Sequence, residues 1–456
     1  MFVKSYLFIK EYFLVIIFLI ISVYFFNDYL NISAENELPE SDELGYLDEG
    51  IHLRDVSYDF KKIINRNRTP LLPLVVSFLA QDKGTLIQFS EEYIDLFRET
   101  QLAIISIVFF ISFLLFLKLK NKFKSNFLII FFFIYFFNVP IKAQIELVFV
   151  EPIFMTLYLI FIITAINSID SNSIKDYLIL GLLGGLLFLA KYTGFLIFIF
   201  TLFSLFIYKV LFLKNKNFKR IFKNLLLSFV TFISVGLPYL IANVSDGLNP
   251  FYSVNSKIIW YSSWPEAYEN IKKYNGNFGF KDMPEDLYPS FSYFLNNNGG
   301  FDGLIDRLNR GLFILRGDFI DVNKLAGQTL IYCIFLLTLI IFILFLASKN
   351  NVWNDFKKNR LEIIFLVSLT TLLLFGFLLY SDIANGDRLY LYTTIPIMYY
   401  LFYLVDFFLS YVDFEGKKKL VFNTFLISCF VYMNLIIYDV FWFLLHPLGF
   451  LKSLFV

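Results

Sequence analysis

Histidine is almost missing from this 456-residue chain: only His52 and His446 occur, so a metal centre built on imidazoles is not expected. Cysteine is as scarce. Cys333 and Cys429 both fall inside apolar runs, which argues against a disulfide framework and leaves the redox compartment unread. Charged residues make up 17% of the sequence against 58% hydrophobic and 21% aromatic. A soluble domain cannot enclose that much apolar surface, so the surplus must face lipid. The formal net charge of +1 says little by itself, because the two signs are segregated along the chain. Tandem repetition at a solenoid period is lacking too.

What is present is an alternation of apolar runs and basic clusters. Residues 12–26 follow Lys4 and Lys10, and no small-residue cleavage site comes directly after them. They read as a retained first membrane helix with a cytoplasmic N-terminus. Residues 27–100 form a first external loop, acidic in its first half. Within it, 70–79 is too short for a span of about 20 residues and is expected to dip into the interface. Residues 102–117 run into Lys118, Lys120, Lys122 and Lys124, a cluster that stays cytoplasmic. The runs 127–137 and 148–167 make a pair joined outside by N-V-P-I-K-A-Q-I-E. The stretch 177–213 is too long for one span, and a lysine at mid-bilayer costs roughly 2.5–3.5 kcal/mol. It is therefore expected to be two helices turning outside at Lys191-Tyr192-Thr193-Gly194, closed by Lys214, Lys216, Lys219, Arg220 and Lys223. Residues 225–241 lead out to the largest polar region, 242–328, rich in Tyr, Asn, Gly and Trp. Runs at 329–347, 361–380, 389–410 and 420–445 bring the count to about eleven helices. The expected fold is an all-α integral membrane protein of the plasma (inner) membrane. Residues 1–445 form one polytopic domain and 446–456 an external tail.

The acidic stretch 41–50, S-D-E-L-G-Y-L-D-E-G, opens the first external loop, and N-R-T-P-L-L-P-L follows at 67–74. Leu44, Leu47 and Ile51 recur at helical spacing, which predicts a short surface helix turning Asp42, Tyr46 and Glu49 away from its apolar side. The plain reading is a Ser41 N-cap with two acids suited to the helix macrodipole. In the topology above, however, Asp42, Glu43, Lys142, Glu146, Glu151, Lys191, Asp387 and Arg388 all reach the external membrane face. Asp42 is a carboxylate able to accept a proton as a reaction develops. Lys191 and Arg388 are cations at headgroup level that can neutralise a phosphate, Arg through a bidentate fork and Lys as a point charge. Each has a blander reading: Lys191 and Arg388 as interfacial anchors, residues 67–69 as a turn. Glu151 resists that reading, because it sits where a helix enters lipid, and Glu146 ranks beside it.

Taken in order, S-D-E-L-G-Y, R-T-P-L-L-P-L, G-L-L-G-G-L-L-F-L-A-K-Y-T-G, L-P-Y-L-I-A-N and G-D-R-L-Y-L-Y-T-T-I-P resemble the polytopic GT-C glycosyltransferases. The nearest group is the protein O-mannosyltransferase, aminoarabinose transferase and RgtA/B/C/D-like superfamily, over most of residues 1–400. The resemblance implies that Asp42 is the catalytic aspartate of the first external loop. It implies a donor sugar on a polyprenyl or dolichyl phosphate, met by Lys191 and Arg388. Residues 242–328 depart from the family pattern. The expected function is transfer of that sugar, with inversion, to a hydroxyl or amine of a glycan, lipid or protein on the non-cytoplasmic side. Asp42 acts as general base beside Glu43, and Tyr46, Arg68, Glu146, Glu151, Lys191 and Arg388 bind substrate. Participation of a divalent metal stays open, no other cofactor is called for, and nucleic acid is not an expected partner. The alternative is a transporter or flippase of lipid-linked sugars, which predicts polar residues at the midplane of broken helices in two related halves. A scaffold without chemistry predicts no convergent charge at all.

Overall fold

The computed structural model describes residues 2–35, 38–39, 42–62, 68–120, 122–145, 148–171, 173–212, 218–252, 255–273, 283–284, 287–320, 325–346 and 391–409, with a few single positions between 369 and 428. Among the described residues all regular structure is helical. Six of the described helices are long and apolar enough to cross a membrane, at Phe13–Ala34, Glu91–Leu119, Glu151–Ile169, Thr193–Val210, Phe218–Ser245 and Gly327–Leu344. Two shorter apolar helices lie at Asn126–Ile141 and Thr394–Leu409. This is the make-up of an α-helical membrane protein. The expected spans 361–380, for the most part, and 420–445 lie outside the described residues.

The bundle is organised around α7 (Glu151–Asp170). Its apolar window is 89% buried, whereas the other five are 22–39% buried and keep one face for lipid. A helix apolar all round belongs in the middle. Beside it, α8 (Ile174–Ala190) and α9 (Thr193–Ile207) turn at Lys191-Tyr192, where the sequence placed the break. The G-L-L-G-G-L-L run of α8 explains how closely its neighbours approach. A Cβ on Gly181 would stand 2.2 Å from the Ser228 carbonyl of α10 (Phe218–Ser245), and one on Gly185 would stand 2.5 Å from Val235 Cβ. Small residues four apart let the two backbones come within reach, which association in lipid depends on.

Two stretches expected to connect spans are built largely of helix. The external linker 138–146 is helical for most of its length: α5 (Asn126–Phe136) continues through a π-turn, Phe137–Ile141, into α6 (Lys142–Ile145). The wider turn accommodates Pro140, which cannot donate to an α-helical ladder. Tyr29 of α1 (Phe2–Glu35) donates its hydroxyl to the Phe137 carbonyl at 2.6 Å and holds the turn against the bundle. The loop 27–100 is likewise mostly helix, because α1 runs on to Glu35 and α4 (Glu91–Leu119) begins before the apolar stretch does. Between them lie α2 (Asp42–Asp55) and α3 (Leu71–Leu79).

The bundle has two chemically distinct ends. At one, Lys118 of α4 donates to Thr164 of α7 at 2.7 Å, Lys122 bonds Asn167, and Lys209 donates to the Ser171 carbonyl at 2.6 Å. The Asp406 carboxylate of α16 (Leu391–Leu409) caps α5 there, accepting the N–H groups of Lys124 at 2.8 Å and Ser125 at 2.7 Å. At the other end stand α2, α3, the start of α7 and the α8–α9 turn. The polar region joins that second end through Phe251, stacked on Phe195 with ring centres 4.3 Å apart. It comprises α11 (Asn255–Ile258), α12 (Trp264–Lys273), α13 (Phe291–Asn297) and α14 (Gly300–Ile320), followed by α15 (Leu325–Leu346). Tyr252, Ile258, Tyr261, Ala267 and Met283 give it a small core of its own.

Candidate functional site

Helix α2 is present as the acidic stretch predicts, but its buried face differs. Glu43, Tyr46, Leu47, Gly50 and Leu53 are the buried positions, at i, i+3, i+4, i+7 and i+10. Only Leu47 belongs to the apolar row expected to point inward. The helix is therefore no surface helix, and Tyr46 does not face solvent. Tertiary contacts from two sides override the local pattern: α3 presses so closely that a Cβ on Gly50 would be 2.4 Å from Val76 Cβ, and the segment before α7 meets Glu43. Glu43 is 1% exposed, and its Oε1 accepts the backbone N–H of Val148 at 2.6 Å. A buried carboxylate without such a donor would carry a heavy desolvation cost. Asp42 is the first residue of the same helix, and its side chain lies outside the described residues.

The R-T-P turn comes back over α2. The Arg68 guanidinium carbon lies 4.5 Å from the centre of the Tyr46 ring. Next to the ring, Gly45 leaves room for the guanidinium: a Cβ there would be 2.4 Å from both Nε and Nη2 of Arg68. The G-Y pair of the acidic motif is thus the platform for the arginine of the next motif. Thr69 donates its hydroxyl to the Ala190 carbonyl at 2.5 Å, satisfying an acceptor that the end of α8 would leave unfilled. The residues read as a plain turn therefore tie α2 and α3 to the α8–α9 hairpin.

Lys191 leaves α8 in an extended conformation, φ −157° and ψ 138°, which turns its side chain away from the helix path. Its Nζ lies 3.0 Å from Glu151 Oε1. The glutamate occupies the first position of α7, ahead of Pro152, where a carboxylate also complements the helix dipole. Their side chains are 6% exposed for Glu151 and 23% for Lys191, so the pair is largely shielded and one cation edge stays accessible. Burial raises the phenol pKa of neighbouring Tyr192, keeping that hydroxyl a neutral donor.

The contacts form a closed circuit. Glu43 holds Val148, three residues before Glu151; Glu151 pairs with Lys191; Ala190 accepts from Thr69; Arg68 lies on Tyr46, one turn from Glu43. Five of the eight site residues chosen from sequence are brought together in this way: Glu43, Tyr46, Arg68, Glu151 and Lys191. Glu146 and Arg388, with Asp387, lie outside the described residues. Lys142 instead pairs with Asp28 of α1 at 2.8 Å. Two residues outside the predicted set carry signals of their own. Gly45 does so because a glycine beside an aromatic in a helix marks a close approach. Gln101 is buried in α4, and its amide nitrogen has no hydrogen-bond partner among the described residues. A glutamine at the head of an apolar run was its signal. Among the described residues no group of three or more His, Cys, Asp or Glu is placed to hold a metal ion.

Chemically the site offers a carboxylate motif fixed at a helix start and two cations seated on a ring and on a carboxylate, all at one end of a membrane bundle. Such a set can receive an anionic headgroup while a neighbouring carboxylate takes a proton. No family model, curated protein or solved structure matches the chain.

Proposed function

We propose that the chain is an integral membrane glycosyltransferase of GT-C-like architecture. It takes a sugar from a polyprenyl or dolichyl phosphate and passes it to an acceptor hydroxyl or amine at the membrane end that carries α2. By the distribution of Lys118–Lys124 and Lys219, Arg220 and Lys223 that end is non-cytoplasmic, and the full topology has about eleven helices. What supports the reading is the circuit joining the acidic motif, Arg68 and the Glu151–Lys191 pair, since a transferase of this kind needs a base and phosphate-binding cations on one surface.

In the proposed reaction the acceptor oxygen or nitrogen attacks the anomeric carbon, and its proton passes to the Asp42 carboxylate. The bond from the anomeric carbon to the phosphate oxygen breaks, and the lipid phosphate leaves with that electron pair. Configuration inverts. Arg68 and Lys191 counter the charge gathering on the leaving phosphate, which fixed cations in a water-poor site do effectively. Lys191 exchanges part of its contact with Glu151 for the phosphate, and Tyr46 keeps the Arg68 plane in place. Glu43, engaged by Val148, acts by positioning α2 rather than by taking the proton. The deciding experiment is single-turnover transfer from radiolabelled polyprenyl-phosphate sugars by detergent-purified protein. Donor consumption with formation of a glycosylated acceptor is expected. Movement of intact donor across a vesicle bilayer without cleavage would replace the proposal with transport.

A further inference from the structure

Two buried polar groups stand outside the circuit. Gln101 of α4 is 4% exposed and Ser33 of α1 is 6% exposed, and neither the Gln101 amide nitrogen nor the Ser33 hydroxyl has a hydrogen-bond partner among the described residues. A buried donor in that state carries its full desolvation cost, so native proteins keep one where something else meets it. A serine can turn its hydroxyl onto a carbonyl of its own helix, which makes Gln101 the firmer marker of the two.

Ring contacts set their relative height. α1 and α4 run in opposite directions, with Phe18 stacked on Phe116 at 4.2 Å between centres and Phe26 meeting Phe109 at 5.6 Å. Ser33 lies 15 residues beyond Phe18, and Gln101 lies 15 residues before Phe116, so the two reach the same level. Each continues a buried row, after Phe18, Phe25 and Tyr29 on α1 and ahead of Val108, Ser112 and Leu115 on α4.

α4 and α7 run in the same direction, as the bonds from Lys118 to Thr164 and from Lys122 to Asn167 show. Toward the α2 end, Gln101 stands about 26 Å beyond Lys118 and Glu151 about 20 Å beyond Thr164, at about 1.5 Å per residue. Gln101 is thus about one turn past Glu151, at the height of Val148, where Glu43 is bonded. Around α4 it falls between the direction of Phe109 and Phe116, which meet α1, and that of Lys118, which meets α7.

We propose that Gln101, with Ser33 beside it, binds hydroxyl groups of the sugar on the lipid-linked donor. The inference rests on the transferase reading and adds to it the residues that recognise the sugar. In that reading Arg68 and Lys191 meet the phosphate, and the sugar is one bond away from it. Gln101 and Ser33 carry no charge, and a carboxamide both donates and accepts, as a sugar hydroxyl does. A buried amide that only the correct hydroxyl satisfies also discriminates, because a sugar lacking that group leaves the amide unpaired.

The test measures binding of polyprenyl phosphate, alone or bearing glucose, galactose or mannose, to the detergent-purified full chain, with the melting temperature read beside it. The parent protein should bind one sugar form better than the sugar-free lipid. Gln101→Leu should weaken that form about ten-fold, the equivalent of about 1.4 kcal/mol. It should leave the sugar-free lipid unchanged and keep or raise the melting temperature, since an unpaired donor is removed. Gln101→Met replaces it should leucine prevent folding, and Ser33→Ala should shift the sugar preference in the same sense. Unchanged binding in all three variants, or a parent protein that prefers no sugar form, would overturn the proposal. Equal loss with and without sugar would overturn it in favour of a phosphate contact. Binding of polyprenyl phosphate no tighter than polyprenol by the parent protein would sink the donor reading itself, a result seen before any variant is made.

Discussion

Glu43 and Val148 stand 105 residues apart in sequence, yet the Val148 N–H donates to the Glu43 carboxylate at 2.6 Å in a site from which water is excluded. The bond fixes the helix that begins at Asp42 against the start of α7. Because Val148 stands three residues before Glu151, the bond also links the acidic motif to the Glu151–Lys191 pair.

Glu43→Ala is expected to leave the buried Val148 amide without an acceptor, at about 1–3 kcal/mol. Glu43→Gln keeps an acceptor oxygen and should recover most of that stability. Melting temperature in detergent reads the difference, and transfer activity should follow stability. A Glu43→Gln variant that melts normally but transfers nothing would show instead that Glu43 takes the proton.

Gly45 and Arg68 make a second prediction. A methyl group at 45 would occupy space within 2.4 Å of the guanidinium, whose flexible side chain would move off the Tyr46 ring. Gly45→Ala should therefore weaken binding of polyprenyl phosphate nearly as Arg68→Ala does, and the double variant should be no worse than Arg68→Ala alone. The coupling expected for residues in contact is about 0.5–3 kcal/mol. Strict additivity in a binding assay would show that the Arg68 seat plays no part in holding the donor.

These two contacts also mark how far the sequence could be read. The break at Lys191-Tyr192, the helix at the acidic motif and the segregation of basic clusters all follow from hydropathy, spacing and charge, which are local. The face buried by α2 does not. Its apolar row pointed one way, while packing against α3 and the Glu43–Val148 bond set another, and neither is visible from ten residues. Glu151 and Lys191 were each placed at the membrane boundary by sequence. Their pairing depends on how α7 and α8 are rotated against each other, a tertiary relation that neither segment's own pattern carries. The π-turn at Pro140 is hidden from local pattern for a related reason, since proline ordinarily ends a helix.

Removing Lys191 alone should do more than remove a phosphate contact. Glu151, whose side chain is 6% exposed, would lose the cation beside its carboxylate, a loss of about 3–5 kcal/mol for a fully shielded pair and less here because Lys191 is partly exposed. Lys191→Met combined with Glu151→Gln should restore the melting temperature without restoring use of the donor. Recovery of both would assign the pair to stability alone.

The two ends of the bundle give a topological prediction. Gly84, in the exposed turn before α4, lies at the end that carries α2, and Lys175, at the start of α8, lies at the end that carries Lys118. In the background lacking Cys333 and Cys429, Gly84→Cys should be labelled in intact cells by a membrane-impermeant maleimide, and Lys175→Cys only after lysis. The reverse pattern would place the α2 end in the cytoplasm and invert the positive-inside assignment.

The proposed reaction assigns the acceptor's proton to Asp42. Asparagine keeps its size and its place at the head of α2 but offers no basic site, so Asp42→Asn should leave folding and donor binding close to those of the parent protein. Loss of a carboxylate near a helix N-terminus costs only about 0.3–1 kcal/mol. Loss of a general base lowers turnover by about 10²–10⁴. Those magnitudes are far enough apart for one variant to separate the two roles. Transfer from a radiolabelled polyprenyl-phosphate sugar, measured beside the melting temperature and donor binding, should therefore collapse while the other two hold. Glu43→Gln in the same assay controls for the neighbouring carboxylate, since its bond to Val148 predicts a stability effect without that collapse. Parent-level transfer by well-folded Asp42→Asn would rule out Asp42 as the base and leave its carboxylate the lesser role of complementing the α2 dipole.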